Sequence, residues 1–165
     1  MKKKYVDKEE EIILSLQKLP LSSLMRYISK LLNTNLYIFT ILFLYFKNYI
    51  GNEEIKYIIY GQIFAFSLKI IFSRKRPYKS NSKINNLSNK EEKTYSFPSG
   101  HSYSAMMISL ILVRKLKNSN SYVNIIVKLL PYLMALSRVQ LGVHYPSDVF
   151  FGLIFAKIYD TLYFK

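Results

Sequence analysis

Five apolar stretches, separated by short polar breaks, constrain this chain more than any other feature. They run over residues 35–50, 55–72, 102–117, 122–138 and 146–163. Each lies near the lower limit of the roughly 17–25 residues that cross a bilayer as a helix. None is uniformly apolar: Lys128 and Pro131 interrupt the fourth, and Lys157 and Asp160 sit late in the fifth. Lysines near helix ends snorkel to the interface and membrane helices tolerate proline, so these interruptions do not defeat the reading. Many tyrosines fall near segment ends, as interfacial anchors do, although a Tyr-rich soluble core would present the same pattern. The expected fold class is all-α: a polytopic membrane helical bundle with about five transmembrane helices.

Residues 1–33 form a basic, amphipathic interfacial segment ahead of a membrane domain over 34–165. Met1–Glu11 opens with Lys2-Lys3-Lys4, continues as a mixed acidic run and has no apolar core, so it does not read as a cleavable signal peptide. Ile12, Ile13, Leu16 and Leu19 suggest one helical face, closed by Pro20. A second face follows from Leu21, Leu24, Met25, Ile28, Leu31 and Leu32, opposite Ser22, Ser23, Arg26, Ser29 and Lys30. Such a helix either lies in the membrane interface or packs on the rest of the protein. Residues 78–96 are polar and low in complexity, which makes them a solvated connector, with a lid as the alternative.

The formal charge is +14, from 24 Lys and Arg against 10 Asp and Glu. A balance this basic suits nucleic acid, an anionic membrane surface or a phosphorylated substrate. Nucleic-acid binding needs a basic face on a soluble fold, which the apolar segments oppose. There is no cysteine, hence neither a disulfide framework nor a thiolate metal site.

Three clusters carry the chemistry: Lys69 with Arg76-Pro77, then Pro98-Ser99-Gly100-His101, then Ser137-Arg138 with His144 and Asp148. Both histidines of the chain belong to them. Phosphoryl transfer asks mainly for positioning and for positive charge around the equatorial oxygens. Arg76 and Arg138 suit this because a guanidinium holds two oxygens in a fixed fork, and Lys69 adds a compact charge. Pro98-Ser99-Gly100-His101 reads as a helix opening, where free backbone N–H groups favour an anion. There Gly100 permits close approach, and the Ser99 hydroxyl can donate to a phosphate oxygen while also capping the helix, two compatible roles. His144 and Asp148 stand four apart, with Pro146 at a first-turn position. A carboxylate beside one imidazole nitrogen sets the tautomer and leaves the other nitrogen free.

Parity brings the clusters together. The second apolar segment ends at Lys69 and Arg76, the third begins at His101, the fourth ends at Arg138, and the fifth begins after His144. Alternate crossings therefore deliver all three clusters to one membrane face. One span fewer would put the last cluster about 30 Å away.

The set resembles the signature of the type 2 phosphatidic acid phosphatase (PAP2) superfamily: Lys, six residues, Arg-Pro; Pro-Ser-Gly-His; Ser-Arg, five residues, His, three residues, Asp. Every position is filled, and the likeness covers about residues 55–163. The resemblance implies that His144 is a nucleophile transiently phosphorylated, Asp148 its orienter, and His101 the general acid that later helps activate water. Lys69, Arg76, Ser99, Gly100 and Arg138 would bind the phosphate. No metal or other cofactor is implied, since one carboxylate is too few for a metal cage. Arg74-Lys75-Arg76-Pro77 and Tyr95–His101 look most like the small polyisoprenoid diphosphate and lipid phosphate phosphatases. Phosphatidic acid, lysophosphatidic acid and isoprenoid diphosphates are the expected substrates.

The expected setting is a multi-pass integral membrane protein: of the endoplasmic reticulum or plasma membrane in a eukaryote, of the cell membrane in a bacterium. Lysine and arginine counts lean towards a cytosolic site, whereas the resemblance leans towards a luminal or extracellular one. Two rivals stay open: a soluble acid phosphatase or vanadium haloperoxidase sharing the anion site, and a catalytically silent lipid-binding membrane protein.

Overall fold

The computed structural model describes residues 2–31, 34–116 and 121–165. Leu32 of the expected amphipathic face and Lys117, at the end of the third apolar stretch, lie outside the described residues. The described residues form eight helices and no strand: α1 (Lys2–Gln17), α2 (Ser22–Leu31), α3 (Thr34–Phe46), α4 (Asn52–Phe72), the single turn α5 (Pro77–Ser80), α6 (Gly100–Lys115), α7 (Ser121–Gln140) and α8 (Pro146–Tyr163). Helices α3, α4, α6, α7 and α8 fall on the five apolar stretches.

Local chemistry explains the helix ends. Before α4, the Gly51 N–H donates to the Glu54 carboxylate at 2.8 Å, and Glu53 and Glu54 place negative charge on the first turn. α4 stops at Ser73, whose backbone is left-handed (φ 43). α8 begins with Pro146, and Asp148 accepts the Tyr145 N–H at 2.8 Å, so one side chain both caps this helix and lies beside the imidazole.

α6 is the central helix, packed on α4, α7 and α8. Its Tyr103, Met106, Met107 and Ile111 are buried with Tyr57, Ile58 and Ala65 of α4 and Ala156 of α8. A second cluster seats α1 on the bundle: Ile13 is fully buried against Ala135 and Val139 of α7 and Val149 of α8. Met25 of α2 packs on Leu141 and Val143, while Leu24 and Tyr27 on the same helix stay exposed. The amphipathic segment therefore docks by one edge and leaves an apolar edge outward.

Outward-facing apolar side chains form an extensive surface: Phe39, Phe43 and Phe46 on α3, Ile63, Phe66, Ile70 and Ile71 on α4, Ile125, Ile126 and Leu129 on α7, and Phe150 and Leu162 on α8. Apolar area on this scale needs lipid or a partner to cover it. The stretches Asn52–Ser80 and Tyr122–Gln140 are long and apolar enough to cross a membrane, and Leu36–Phe46 is a shorter apolar helix. At 1.5 Å per residue, the 13 residues of α3 and the 16 of α6 rise about 20 and 24 Å, short of a hydrocarbon core of about 30 Å. α6 can be short and mixed because its neighbours, rather than lipid, cover most of its surface.

Candidate active site

The C-terminal ends of α4 and α7 and the N-terminal ends of α6 and α8 meet at one end of the bundle. Lys69, Arg76, Gly100, His101 and His144 there line a cleft of about 680 Å³, together with Tyr37, Gln62, Ser104 and the segment 90–94. Arg138 lines an adjoining cleft of about 390 Å³ with Arg26, Ser29 and Lys30; Lys90, Glu92 and His101 belong to both. Ser99 and Asp148 are fully buried behind this lining.

Each basic group is held in place by hydrogen bonds that its own charged head donates. Lys69 Nζ donates to the carbonyls of Pro98 (2.7 Å) and Tyr95 (3.0 Å), which ties the end of α4 to the turn that opens α6. Arg76 donates through Nε to the Thr94 carbonyl (2.9 Å) and through one terminal nitrogen to the Val143 carbonyl (2.9 Å). That nitrogen also lies 3.2 Å from His144 Nε2. Arg138 donates to Ser29 Oγ at 2.6 Å, and its Nε is buried without a hydrogen-bond partner among the described residues. The Ser99 hydroxyl accepts from Ser102 N and Ser102 Oγ, and so serves as the cap of α6. A Cβ added at Gly100 would approach Lys69 Cε no closer than 3.6 Å, so space alone does not demand glycine there.

The contacts of His144 assign its tautomer. Arginine only donates, so its approach to Nε2 is favourable when that nitrogen carries a lone pair. The proton then sits on Nδ1, facing Asp148 Oδ2 at 3.5 Å. Burial first, then the charges of Arg76 and Arg138, push the His144 pKa well below the ordinary histidine value, and the ring is neutral. At 3.5 Å the carboxylate is an ionic neighbour of the ring rather than a close hydrogen-bond partner. Asp148 Oδ2 accepts its closest bond from Ser96 Oγ, whose oxygen is itself 3.5 Å from His144 Nδ1.

Sequence reasoning assigned no role to several of the groups gathered here. Arg74 donates to Asp148 Oδ1 (2.7 Å), Ser147 Oγ (2.6 Å) and Glu9 Oε2 (2.7 Å), with its guanidinium 3.8 Å above the Tyr145 ring. Glu9 of α1 also accepts the Ser147 N–H at 2.7 Å. An N-terminal helix is thereby built into the support of Asp148. Arg74 stands in a basic run beside Arg76, which was a usable signal; Glu9 had none.

The segment 78–96 is more than a solvated connector. Ile84 is buried, Leu87 N–H donates to the Leu141 carbonyl at 3.0 Å, and Gln17 brackets Asn85 with two hydrogen bonds. Its Glu92 reaches between the two arginines: one oxygen accepts from Arg138, and the other lies 3.7 Å from Arg76. Burial alone pushes this carboxyl up, but the charges of Arg138 and Arg76 and the hydrogen bond from Arg138 outweigh it and hold the pKa at about 2. Among the described residues no group of three or more His, Cys, Asp or Glu side chains could hold a metal ion.

Two solved structures share this architecture. Aquifex aeolicus LpxE superposes with a TM-score of 0.79 at 24% identity, covering 93% of each chain. A transmembrane PAP2 type phosphatidylglycerolphosphate phosphatase from Bacillus subtilis gives 0.74 at 23% identity, covering 94% of this chain and 84% of its own. No curated protein sequence matches. The PAP2 superfamily profile matches residues 55–165, the span that carries all three clusters, and the chain belongs to the PAP2 superfamily.

Proposed function

We propose that this protein is a metal-independent lipid phosphate or diphosphate phosphohydrolase that works through a phosphohistidine. The observation that carries the reading is the cleft that Lys69, Arg76, His101 and His144 line together, with the Nε2 lone pair of a neutral His144 at its wall. Lys69, Arg76 and Arg138 would draw in the phosphate and stabilise its equatorial oxygens. His144 Nε2 attacks phosphorus while the ester oxygen leaves, protonated by His101. Asp148 stabilises the Nδ1–H as the ring becomes charged. Water then displaces the phosphoryl group from Nε2, with His101 now accepting its proton, and inorganic phosphate departs. Ser99 supports this set by capping α6, and Gly100 lies on the cleft wall.

The substrate's tail would lie in lipid. Tyr37 and Ile38 of α3 line the same cleft, and Ile38 is also exposed on the apolar outer surface. An acyl or isoprenoid chain entering beside α3 would bring its phosphate to His144. A polyisoprenoid diphosphate, phosphatidic acid or lysophosphatidic acid fits this description. We read α3, α4, α6, α7 and α8 as the spans of a multi-pass membrane domain over 34–165, with 1–33 as its interfacial segment. The outward apolar surface argues against a soluble acid phosphatase or haloperoxidase.

The test is turnover by the detergent-purified protein of phosphatidic acid, lysophosphatidic acid, farnesyl diphosphate and a long-chain polyprenyl diphosphate. His144→Ala should abolish release of phosphate while the protein remains folded. An active His144→Ala protein would remove the proposed nucleophile, and no turnover of any of the four by wild type would remove the enzyme.

A further inference from the structure

We propose that Glu92 is a built-in competitor for the substrate's phosphate: a carboxylate stopper, seated between Arg76 and Arg138, that the incoming anion must displace. The proposal rests on the reading above that these arginines bind phosphate. A carboxylate and a phosphate satisfy guanidinium groups through the same chemistry, two oxygens accepting from donor forks. Glu92 uses one oxygen on each arginine, the bridging that a phosphate would make.

The charge arithmetic agrees. Lys69, Arg76 and Arg138 bring three positive charges to a largely buried corner. With no anion present they repel one another, and Glu92 offsets part of that repulsion. With Glu92 in place the attraction for a phosphate is reduced by one charge, and the seat between the arginines is taken.

The surrounding segment is divided in a way that permits movement. Residues 84–87 are fastened to the body through buried Ile84, the Asn85–Gln17 bonds and the Leu87–Leu141 bond. Thr94 and Tyr95 are fastened by the bonds that Arg76 and Lys69 donate to their carbonyls. Between the anchors, Asn89 has a left-handed backbone (φ 58), Lys90 and Glu91 are exposed, and the ties to break are the exposed Lys79–Glu91 ion pair (2.9 Å) and the bond that the Glu92 N–H donates to the Tyr78 hydroxyl (3.3 Å). The stopper is therefore a flap of about five residues, with Arg76 staying anchored by Thr94 and Val143 when the flap lifts. Glu92, Lys90 and His101 line both clefts, so lifting residues 90 and 92 would join the clefts into one space open from Arg138 to His144. At a pKa of about 2 the carboxylate stays charged at ordinary pH, so a competing anion rather than a proton must release it.

The experiment uses the full-length protein in detergent, with inorganic phosphate and orthovanadate as probes. In Glu92→Gln the phosphate concentration that half-saturates the rise in melting temperature should fall at least about tenfold, as should the inhibition constant for orthovanadate. Unchanged or weaker binding of both anions in Glu92→Gln would overturn the proposal, because a carboxylate that merely glues the arginines together should weaken the site when lost. A second readout needs no variant at Glu92. The chain has no cysteine, so Glu91→Cys, which gives up only the exposed ion pair with Lys79, carries a single spin label on the flap. Phosphate should increase that label's mobility with a half-point matching the melting curve, and a label indifferent to saturating phosphate would equally sink the idea. Neither measurement requires turnover. A protein that binds phosphate with these signatures but hydrolyses no lipid phosphate would therefore refute the enzyme and leave the stopper standing.

Discussion

Arg74 should control the catalytic rate without touching the substrate. It lies off the cleft lining, yet it is the basic group paired with Asp148, which is fully buried. In Arg74→Gln, Asp148 keeps the Ser96 hydroxyl and the Tyr145 N–H but loses its countercharge. Removing one partner of a buried ion pair costs about 3–5 kcal/mol. The Arg74 side chain is 25% exposed, so water replaces part of what is lost, and about 2–3 kcal/mol is the expected destabilisation. For a chain of this size that corresponds to a fall in melting temperature of roughly 4–12 °C. A His–Asp pair forced into the wrong tautomer loses about 10⁴ in rate. Asp148 retains two donors here, so the expected loss in kcat is smaller, about 10–100-fold, with KM little changed. Lipid phosphate hydrolysis and thermal unfolding in the same detergent would measure both effects. Arg74→Lys, which keeps the charge but not the fork to Glu9 and Ser147, should recover part of kcat. A wild-type kcat in Arg74→Gln, or a defect confined to KM, would refute the chain of support from Glu9 through Arg74 to Asp148.

Three further outcomes follow from the same geometry. Activity should persist in excess EDTA; a loss on chelation restored by Mg²⁺ would refute a mechanism run on Lys69, Arg76 and Arg138. Gly152→Ala should lower both melting temperature and activity, at a cost of about 1–3 kcal/mol, since its Cβ would lie 2.8 Å from the Ser99 carbonyl oxygen, a backbone atom no rotamer can move; a fully stable variant would show that α8 does not press on the turn before α6. His144 is neutral when folded and takes up a proton near pH 6.5 when unfolded. Its contribution to stability is therefore full above that pH and falls by about 1.4 kcal/mol per unit as pH drops through and below it. Thermal unfolding between pH 5 and 7.5 should show a slope that His144→Gln flattens, and equal slopes in the two proteins would mean the ring is charged when folded.

The helices were readable from local pattern because their causes are local. Apolar runs, Pro20, Pro146 and the polar run 78–96 set where elements begin and end, and the boundaries of α4, α7 and α8 lie within three residues of the apolar stretches. The short α5 was not anticipated, because a turn held by Pro77 and the Arg76 carbonyl leaves no periodicity to detect. Residue chemistry, the order of crossings and the resemblance to the PAP2 signature together made Lys69, Arg76, His101, Arg138, His144 and Asp148 candidates, since that order fixes which helix ends share a face.

Tertiary structure decided which groups act on which. Asp148 was expected as the direct partner of His144, but Ser96 Oγ takes its closest bond and Arg74 neutralises it. Ser99 points into the cap of α6 rather than lining the cleft. Glu9 and Glu92 enter the site from segments with no motif at all, to meet partners 65 and 46 positions away in the chain. Such pairings leave no trace in composition or period, because a carboxylate in a polar stretch looks the same whether it faces water or a buried guanidinium. Only the packing of α1 on α7 and α8, and the anchoring of the 78–96 segment on α1 and the α7–α8 turn, bring those opposite charges within bonding distance. Coulomb attraction in a buried corner then does what sequence spacing could not announce.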